Sequence, residues 1–569
     1  MSAPGRRVSL LIVVLAALPF LLQLGNRGLN EPDEGRYVEI GREMLVSGDF
    51  LVPRLHGVPH VAKPPLTYWS IAASLSLFGM NETAARLPGA LAAILAMLLT
   101  ADLARRMYGG RGAPTAAWLL ASALGFFLMG RVQTTDMILT ASVVGAMHGA
   151  WRFRSAETRG ARLQFFLAIA VGFLAKGPVA VAIVLLGLVG AAVFERRRRP
   201  LRVVASLGGW GLFLILALPW YLLMAKEIPG LIGHWLGYEL VQRVTEGVKR
   251  NKPFWYFAAV LPFEVWPWTA LLLALVPRIW RLRRRPREAY LAGWMAFPFV
   301  MFTLSQSKLP TYMVPLIPAA ALLVVPLVMS LMSRPRCVAR RWRPLVALNW
   351  FLVAAAALAG MKLHGDAAAR PLFGAGLAML AVGAVVEAAV ILRRAVGLRA
   401  HLAAQLVCAV VFLQLFVHAA GSAEERLGSN TSYRRILTAA AALHPHGASL
   451  DGWASEETKL VFPPGQRIVS YGLRCHAAGF YVLGRQPEFI PHFGMNESDK
   501  FVGRDRTPIS LNRDRLVTLV DDGHPLLILA KSGRLGELMD ILPSSARVLD
   551  LAGEKRRGCT LIEIPGRPD

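Results

Sequence analysis

The chain has 569 residues, 55% of them hydrophobic, a formal net charge of +27 and a mean hydropathy of +0.46. That apolar content excludes an ordinary soluble protein, and apolar runs of near membrane-spanning length recur from the N-terminus to about residue 420. The positive charge does not mark a nucleic-acid partner, because most arginines fall in short clusters between apolar segments, where they set topology.

In chain order, about thirteen spans are expected, at roughly 8–25, 87–107, 114–130, 135–151, 163–175, 178–195, 204–224, 255–277, 289–304, 311–332, 344–361, 372–392 and 400–419. With Arg6 and Arg7 inside, every second loop is arginine-rich. These loops carry Arg105, Arg106 and Arg111; Arg152, Arg154 and Arg159; Arg196 to Arg199; Arg281 to Arg285; Arg334 to Arg343; and Arg393, Arg394 and Arg399. An odd number of spans puts the C-terminal tail outside. The first span begins like a signal peptide, but no small-residue cleavage site precedes Asn26, so it is read as a retained span.

The long outer segment 26–86 carries Glu31-Pro32-Asp33-Glu34-Gly35-Arg36-Tyr37. Asn30 as cap and Pro32 in the first turn would place Asp33 and Glu34 at the positive end of a short helix. Tyr37, Ile40, Met44 and Leu45 line one face and Arg36, Glu39, Arg42 and Glu43 the other, the pattern of a helix lying flat at the membrane surface. The plainer reading is a solvated helix with acids in its first turn. Further on, Pro64 extends the backbone at Lys63 and Pro65 can start another helix, with Tyr68 and Trp69 suited to the interface. The Lys63 ammonium is a compact charge suited to a phosphate, or a lysine that snorkels.

Other polar residues fall on the same face. Asp136 opens the fourth span, as a helix cap or a site acid. Lys176-Gly177-Pro178 reads as a tight outer turn, since a lysine at mid-bilayer would cost about 2.5–3.5 kcal/mol. Lys308-Leu309-Pro310-Thr311-Tyr312 is a similar turn. Loop 225–254 brings His234, Glu239, Arg243, Lys249, Arg250 and Lys252, cations that meet either a lipid phosphate or Glu239 and Glu246. A divalent metal ion shared by Glu31, Asp33, Glu34 and His60 is one further reading. His56 and His60 are not a helical zinc pair, because Gly57 and Pro59 intervene. No Gly-rich phosphate loop, G-x-S-x-G, HExxH or CxxC occurs, and no cofactor is required.

Composition changes beyond residue 420. Helices at 434–443 and 535–541 and strands at Arg467–Tyr471, Glu488–Ile490, Leu526–Leu529 and Thr560–Ile564 predict a small outer α/β domain over 421–569, with Asp521-Asp522-Gly523 as a turn. Cys475 and Cys559 would share an oxidising compartment there and form a disulfide.

The motif Asp33-Glu34-x-Arg36-Tyr37-x-Glu39-Ile40, then Ser47-Gly48-Asp49 and Lys63-Pro64-Pro65-Leu66-x-Tyr68-Trp69, resembles the lipid A aminoarabinose transferases and their protein O-mannosyltransferase relatives. Lys176-Gly177-Pro178 and Ser307-Lys308-Leu309-Pro310-Thr311-Tyr312-x-x-Pro315 extend the likeness over the first ten spans. The resemblance implies a polytopic α-helical membrane protein of the GT-C glycosyltransferase type, with residues 1–420 as transmembrane domain and 421–569 outside. It implies transfer of 4-amino-4-deoxy-L-arabinose from an undecaprenyl phosphate-linked donor to lipid A, among membrane lipids, at the periplasmic face of a bacterial inner membrane. Resistance to polymyxin would follow. The residues this implies for the lipid phosphate are Lys63, Arg36, Tyr37, Arg250, Lys308 and Tyr312, with Asp33, Asp136 and Glu34 as site acids. A hydroxyl acceptor would make Asp33 a general base, whereas a phosphate acceptor leaves it to hold the donor's ammonium or a metal. A transferase using another polyprenyl-linked sugar or a protein or polysaccharide acceptor, and a lipid flippase, are the alternatives.

Overall fold

The apolar runs become helices, some bounded by the Gly, Pro and arginine punctuation and some, with Pro88, Pro219, Pro298 and Pro326 inside them, continuing through it. A computed structural model describes residues 3–30, 32–55, 57–237 and 252–333, short helical pieces between 344 and 414, and 467–471, 521, 526–531, 542–549 and 559–564. The chain forms two compact units, Met1–Leu24 with Arg86–Ala419, and Gly25–Ala85 with Ala420–Asp569.

In the first unit, α1 (Ala3–Leu21), α4 (Glu82–Tyr108), α5 (Gly112–Ala121), α6 (Leu124–Met129), α7 (Thr135–Ala156), α8 (Arg159–Lys176), α9 (Pro178–Glu195) and α10 (Leu207–Glu227) follow the expected spans. Helices Pro286–Leu304 and Ile317–Ser333 do the same further along. Among the described residues, α4, α9, α10 and the continuous Pro310–Ser333 segment are long and apolar enough to cross a membrane. Leu91, Leu95 and Leu98 stay exposed along one stripe of α4, and Ile215, Leu218 and Leu222 along α10, which suits lipid contact rather than water.

Close packing inside the unit depends on small residues. α9 lies against Pro286–Leu304 where Gly190 meets Gly293, and a Cβ on Gly293 would fall 2.1 Å from the Ala191 nitrogen. Backbones at that separation admit only glycine, the device membrane helices use when lipid removes the hydrophobic drive to associate.

The span expected over 255–277 is broken. The segment is two helices, Tyr256–Val265 and Thr269–Leu282, bent by 117°. Pro267 offers no N–H to continue a helix and restricts the residue before it. The break is anchored elsewhere: Leu124 donates its N–H to the Trp266 carbonyl at 2.9 Å, and Trp268 Nε1 donates to Ser122 Oγ at 2.9 Å. The span expected over 114–130 is likewise interrupted there, between α5 and α6.

In the second unit, α2 (Asp33–Ser47) and α3 (Leu66–Phe78) flank a two-stranded hairpin of β1 (Arg54–Leu55) and β2 (Val58–Pro59). The tail contributes β3 (Arg467–Tyr471), β4 (Leu526–Lys531), β5 (Arg547–Leu549) and β6 (Cys559–Ile564) in the order β3-β4-β6-β5. β3 and β4 are parallel and the other pairs antiparallel, with Ile528, Ile562 and Ile564 buried. Three of these strands match the expected ones and β5 is additional. Glu488–Ile490, the two tail helices, Cys475 and therefore the Cys475–Cys559 pairing lie outside the described residues.

Candidate functional site

The first cluster is built by α2 and α3. Asn30 does not cap α2 with its side chain. Pro32 occupies the cap position without a side-chain bond, and the Glu34 carboxylate reaches back to accept the Asn30 N–H at 2.8 Å. Glu34 is thereby buried, 1% exposed, and committed to the helix start. Asp33 keeps a side chain 48% exposed and pairs with Arg36, whose guanidinium lies 5.5 Å from the Tyr37 ring centre.

Tyr37 meets Tyr68 with ring centres 6.0 Å apart, and a Cβ on Gly41 would fall 2.7 Å from Ile71 Cγ2. Gly41 also faces the Tyr68 carbonyl, which a Cβ there would approach to 3.2 Å, so α3 packs on two successive turns of α2. Lys63 is half-buried and precedes the start of α3. A helix start with cations close by in the chain suits an anion.

The expected helix forms as α2, but its polar face is not solvated. Glu39, Arg42 and Glu43 are buried along with the apolar face. Arg42 bonds Glu39 at 2.8 and 2.9 Å, and Glu43 accepts the Gly57 N–H at 3.0 Å. Burial pulls the Arg42 guanidinium down, but Glu39 and Glu43 outweigh it and leave it raised. Tyr68 is buried at 0% exposure, and His60 packs on its edge at 6.3 Å. Trp69 donates from Nε1 to the Phe50 carbonyl at 2.8 Å. Glu31 lies outside the described residues, and no three His, Cys, Asp or Glu side chains converge among the described ones.

The second cluster lies in the first unit. Thr134, not Asp136, caps α7, accepting the Asp136 N–H at 3.3 Å while its hydroxyl bonds Asp136 Oδ2 at 3.3 Å. The other oxygen, Oδ1, takes Lys176 Nζ at the end of α8, with side chains 9% and 12% exposed. Gly177 in the left-handed region (φ 73°) and Pro178 reverse the chain there, as the sequence predicts. Lys176 Nζ is 5.3 Å from the Tyr312 ring centre, and Tyr312 leans on Phe257 and Phe302. Lys308 is buried and donates to the Ser305 carbonyl at 2.5 Å, at the C-terminus of helix Pro286–Leu304. Its ammonium serves that helix end. Arg250 lies outside the described residues.

Sequence reasoning missed Glu264. It is 6% exposed, its methylenes lie across Gly125, and Oε2 makes no hydrogen bond among the described residues. The charge of Asp136 reaches it. An acid within the apolar run 255–277 was the available signal.

Comparison with known proteins adds the following. Residues 62–222 match the family described as dolichyl-phosphate-mannose-protein mannosyltransferase. Over 385 residues the chain is 30% identical to an undecaprenyl phosphate-alpha-4-amino-4-deoxy-L-arabinose arabinosyl transferase of Pseudomonas aeruginosa, covering 67% of this chain and 70% of the relative. It is 33% identical over 320 residues to the protein of the same name from Edwardsiella ictaluri, covering 55% of this chain. The match spans 58% of that relative's length. The crystal structure of ArnT from Cupriavidus metallidurans bound to undecaprenyl phosphate shares the fold, with a TM-score of 0.79 at 23% identity over 100% of both chains.

Proposed function

The chain belongs to the family of undecaprenyl phosphate-4-amino-4-deoxy-L-arabinose arabinosyl transferases, and from that premise we propose that it moves this aminosugar from undecaprenyl phosphate to a lipid A phosphate. The observation that supports it most is the packing of α2 on α3, Tyr37 on Tyr68 and Gly41 on Ile71, with Asp33 and Arg36 in the first turn of α2 and Lys63 just before α3. A polyprenyl phosphate is an anion that helix starts with such cations suit, in a chain with four described helices long and apolar enough to cross a membrane.

The chemistry follows from charge. An oxygen of the acceptor phosphate attacks the anomeric carbon, the bond from that carbon to the donor phosphate oxygen breaks, and the electron pair leaves on undecaprenyl phosphate. The leaving group is a phosphate monoester with a second pKa near 6, so it departs without a strong general acid. Lys63, with Arg36, stabilises the charge that grows on it. The acceptor phosphate is already anionic and needs no base, which leaves the half-exposed Asp33 carboxylate to hold the donor's ammonium. Asp136, matched by Lys176, sets the position of that lysine and of Tyr312.

Residues 25–85 and 421–569 stand at the periplasmic face in this proposal, and the transmembrane helices in the bacterial inner membrane. The test is reconstitution: purified chain in liposomes with aminoarabinosyl undecaprenyl phosphate and lipid A. Aminoarabinose on lipid A with release of undecaprenyl phosphate supports the proposal. Unchanged lipid A beside a folded protein overturns it.

A further inference from the structure

Helix α7 carries Asp136 in its first turn and Arg154 in its last. At about 1.5 Å per residue these lie about 27 Å apart, close to the thickness of a bilayer core. A cavity of about 470 Å³ opens at the Arg154 end, lined by Trp151, Arg154, Arg199, Arg285, Arg287 and Glu288 among others. It lies at the opposite end of α7 from the Asp136 cluster, which puts it across the membrane in the proposed topology, and the proposed transfer chemistry does not use it.

Its floor is rigid. Arg154 is buried and forks onto Glu195 at 2.6 and 2.7 Å, with its guanidinium 5.6 Å from the Trp151 ring centre. The rim is cationic: Arg199, Arg285 and Arg287 are exposed, against the single carboxylate of Glu288. Helix Pro286–Leu304 starts in this wall, with no side-chain cap from Arg285, so the positive end of that helix lies at the cavity. The positive-inside rule accounts for arginines in these loops. It does not account for three separate segments bringing them to one cavity beside a helix N-terminus.

We infer that this cavity binds a phosphate-bearing anion, the headgroup of an anionic phospholipid in the leaflet opposite the Asp136 cluster. Planar guanidiniums clamp phosphate oxygens in pairs, and basic pockets at this depth are where such headgroups lodge. The inference rests on the membrane-embedded reading above, and on no residue of the transfer site.

The test uses the full chain in phosphatidylcholine nanodiscs containing a minority of phosphatidylglycerol, with retained lipid counted by native mass spectrometry. The cavity variant is Arg199→Gln, Arg285→Gln and Arg287→Gln together. Its control removes the same charge outside the cavity, as Arg197→Gln, Arg198→Gln and Arg284→Gln. Phosphatidylglycerol retention is expected to fall about tenfold or more in the cavity variant relative to the control. Equal retention in the two overturns the proposal. If the triple variant does not fold, Arg287→Gln alone carries the same comparison. In a second arm, lipid-stripped protein is titrated with inorganic phosphate. Saturable phosphate binding without selective lipid retention reassigns the cavity to a soluble phosphate and overturns the lipid source. Transfer activity, read in the same preparations, is expected within about twofold of wild type in the cavity variant. Absent transfer beside intact selective lipid binding would fail the proposed function alone.

Discussion

Asp33 and Asp136 both occupy the first turn of a helix and both pair with a cation, yet their settings are opposed. Asp33 is half exposed and its partner Arg36 sits one turn along the same helix, an arrangement that gives little stability and leaves the carboxylate available. Asp136 is buried, and its partner Lys176 comes from the end of another helix, so each charge depends on the other. Under the proposed function, that contrast would set an acid available to substrate against an acid held by another helix.

The sharpest way to break that contrast is to remove each acid in turn. Asp33→Ala is expected to lower transfer by at least about a hundredfold while changing stability by less than about 0.5 kcal/mol, read by product formation and thermal unfolding. Retained activity would take Asp33 out of the site. Asp136→Ala leaves Lys176 buried without its carboxylate and is expected to cost about 3–5 kcal/mol, read by thermal unfolding in detergent. Adding Lys176→Met to that variant should restore much of the loss; no recovery would mean that the pair is not what Asp136 supplies.

Smaller effects sharpen the picture. Lys63→Ala is expected to raise the KM for the lipid-linked donor about tenfold with little change in folding, since it removes one charged contact to phosphate. An unchanged KM would move the phosphate elsewhere. The least effect belongs to Glu264→Gln, which keeps the shape across Gly125 and is expected to change stability by less than about 1 kcal/mol. A larger cost would reveal a partner that needs the carboxylate.

The turn between α8 and α9 was legible in the sequence because glycine and proline mark it locally: Lys176-Gly177-Pro178 reverses the chain where expected. The Asp136–Lys176 pair was not legible, since nothing local records which helix end meets another 40 residues away. The polar face of α2 misled for a related reason. Glu39 and Arg42 look solvated in a helical projection, but at i and i+3 they neutralise each other and can be buried together. The bend at Pro267 was hidden inside an apolar run whose composition alone reads as one span. Lys63 was placed correctly before a helix start, because Pro64 and Pro65 mark that start locally, whereas the packing of Tyr68 on Tyr37 is recorded by nothing local.

The most direct measurement is mass spectrometry of lipid A from polymyxin-challenged cells that lack their own transferase, complemented with this chain or with its Asp33→Asn variant. The account predicts lipid A heavier by one aminoarabinose residue with the wild-type chain and unmodified lipid A with the variant. Unmodified lipid A in both, with the protein present in the membrane, or equal modification in both, would contradict it.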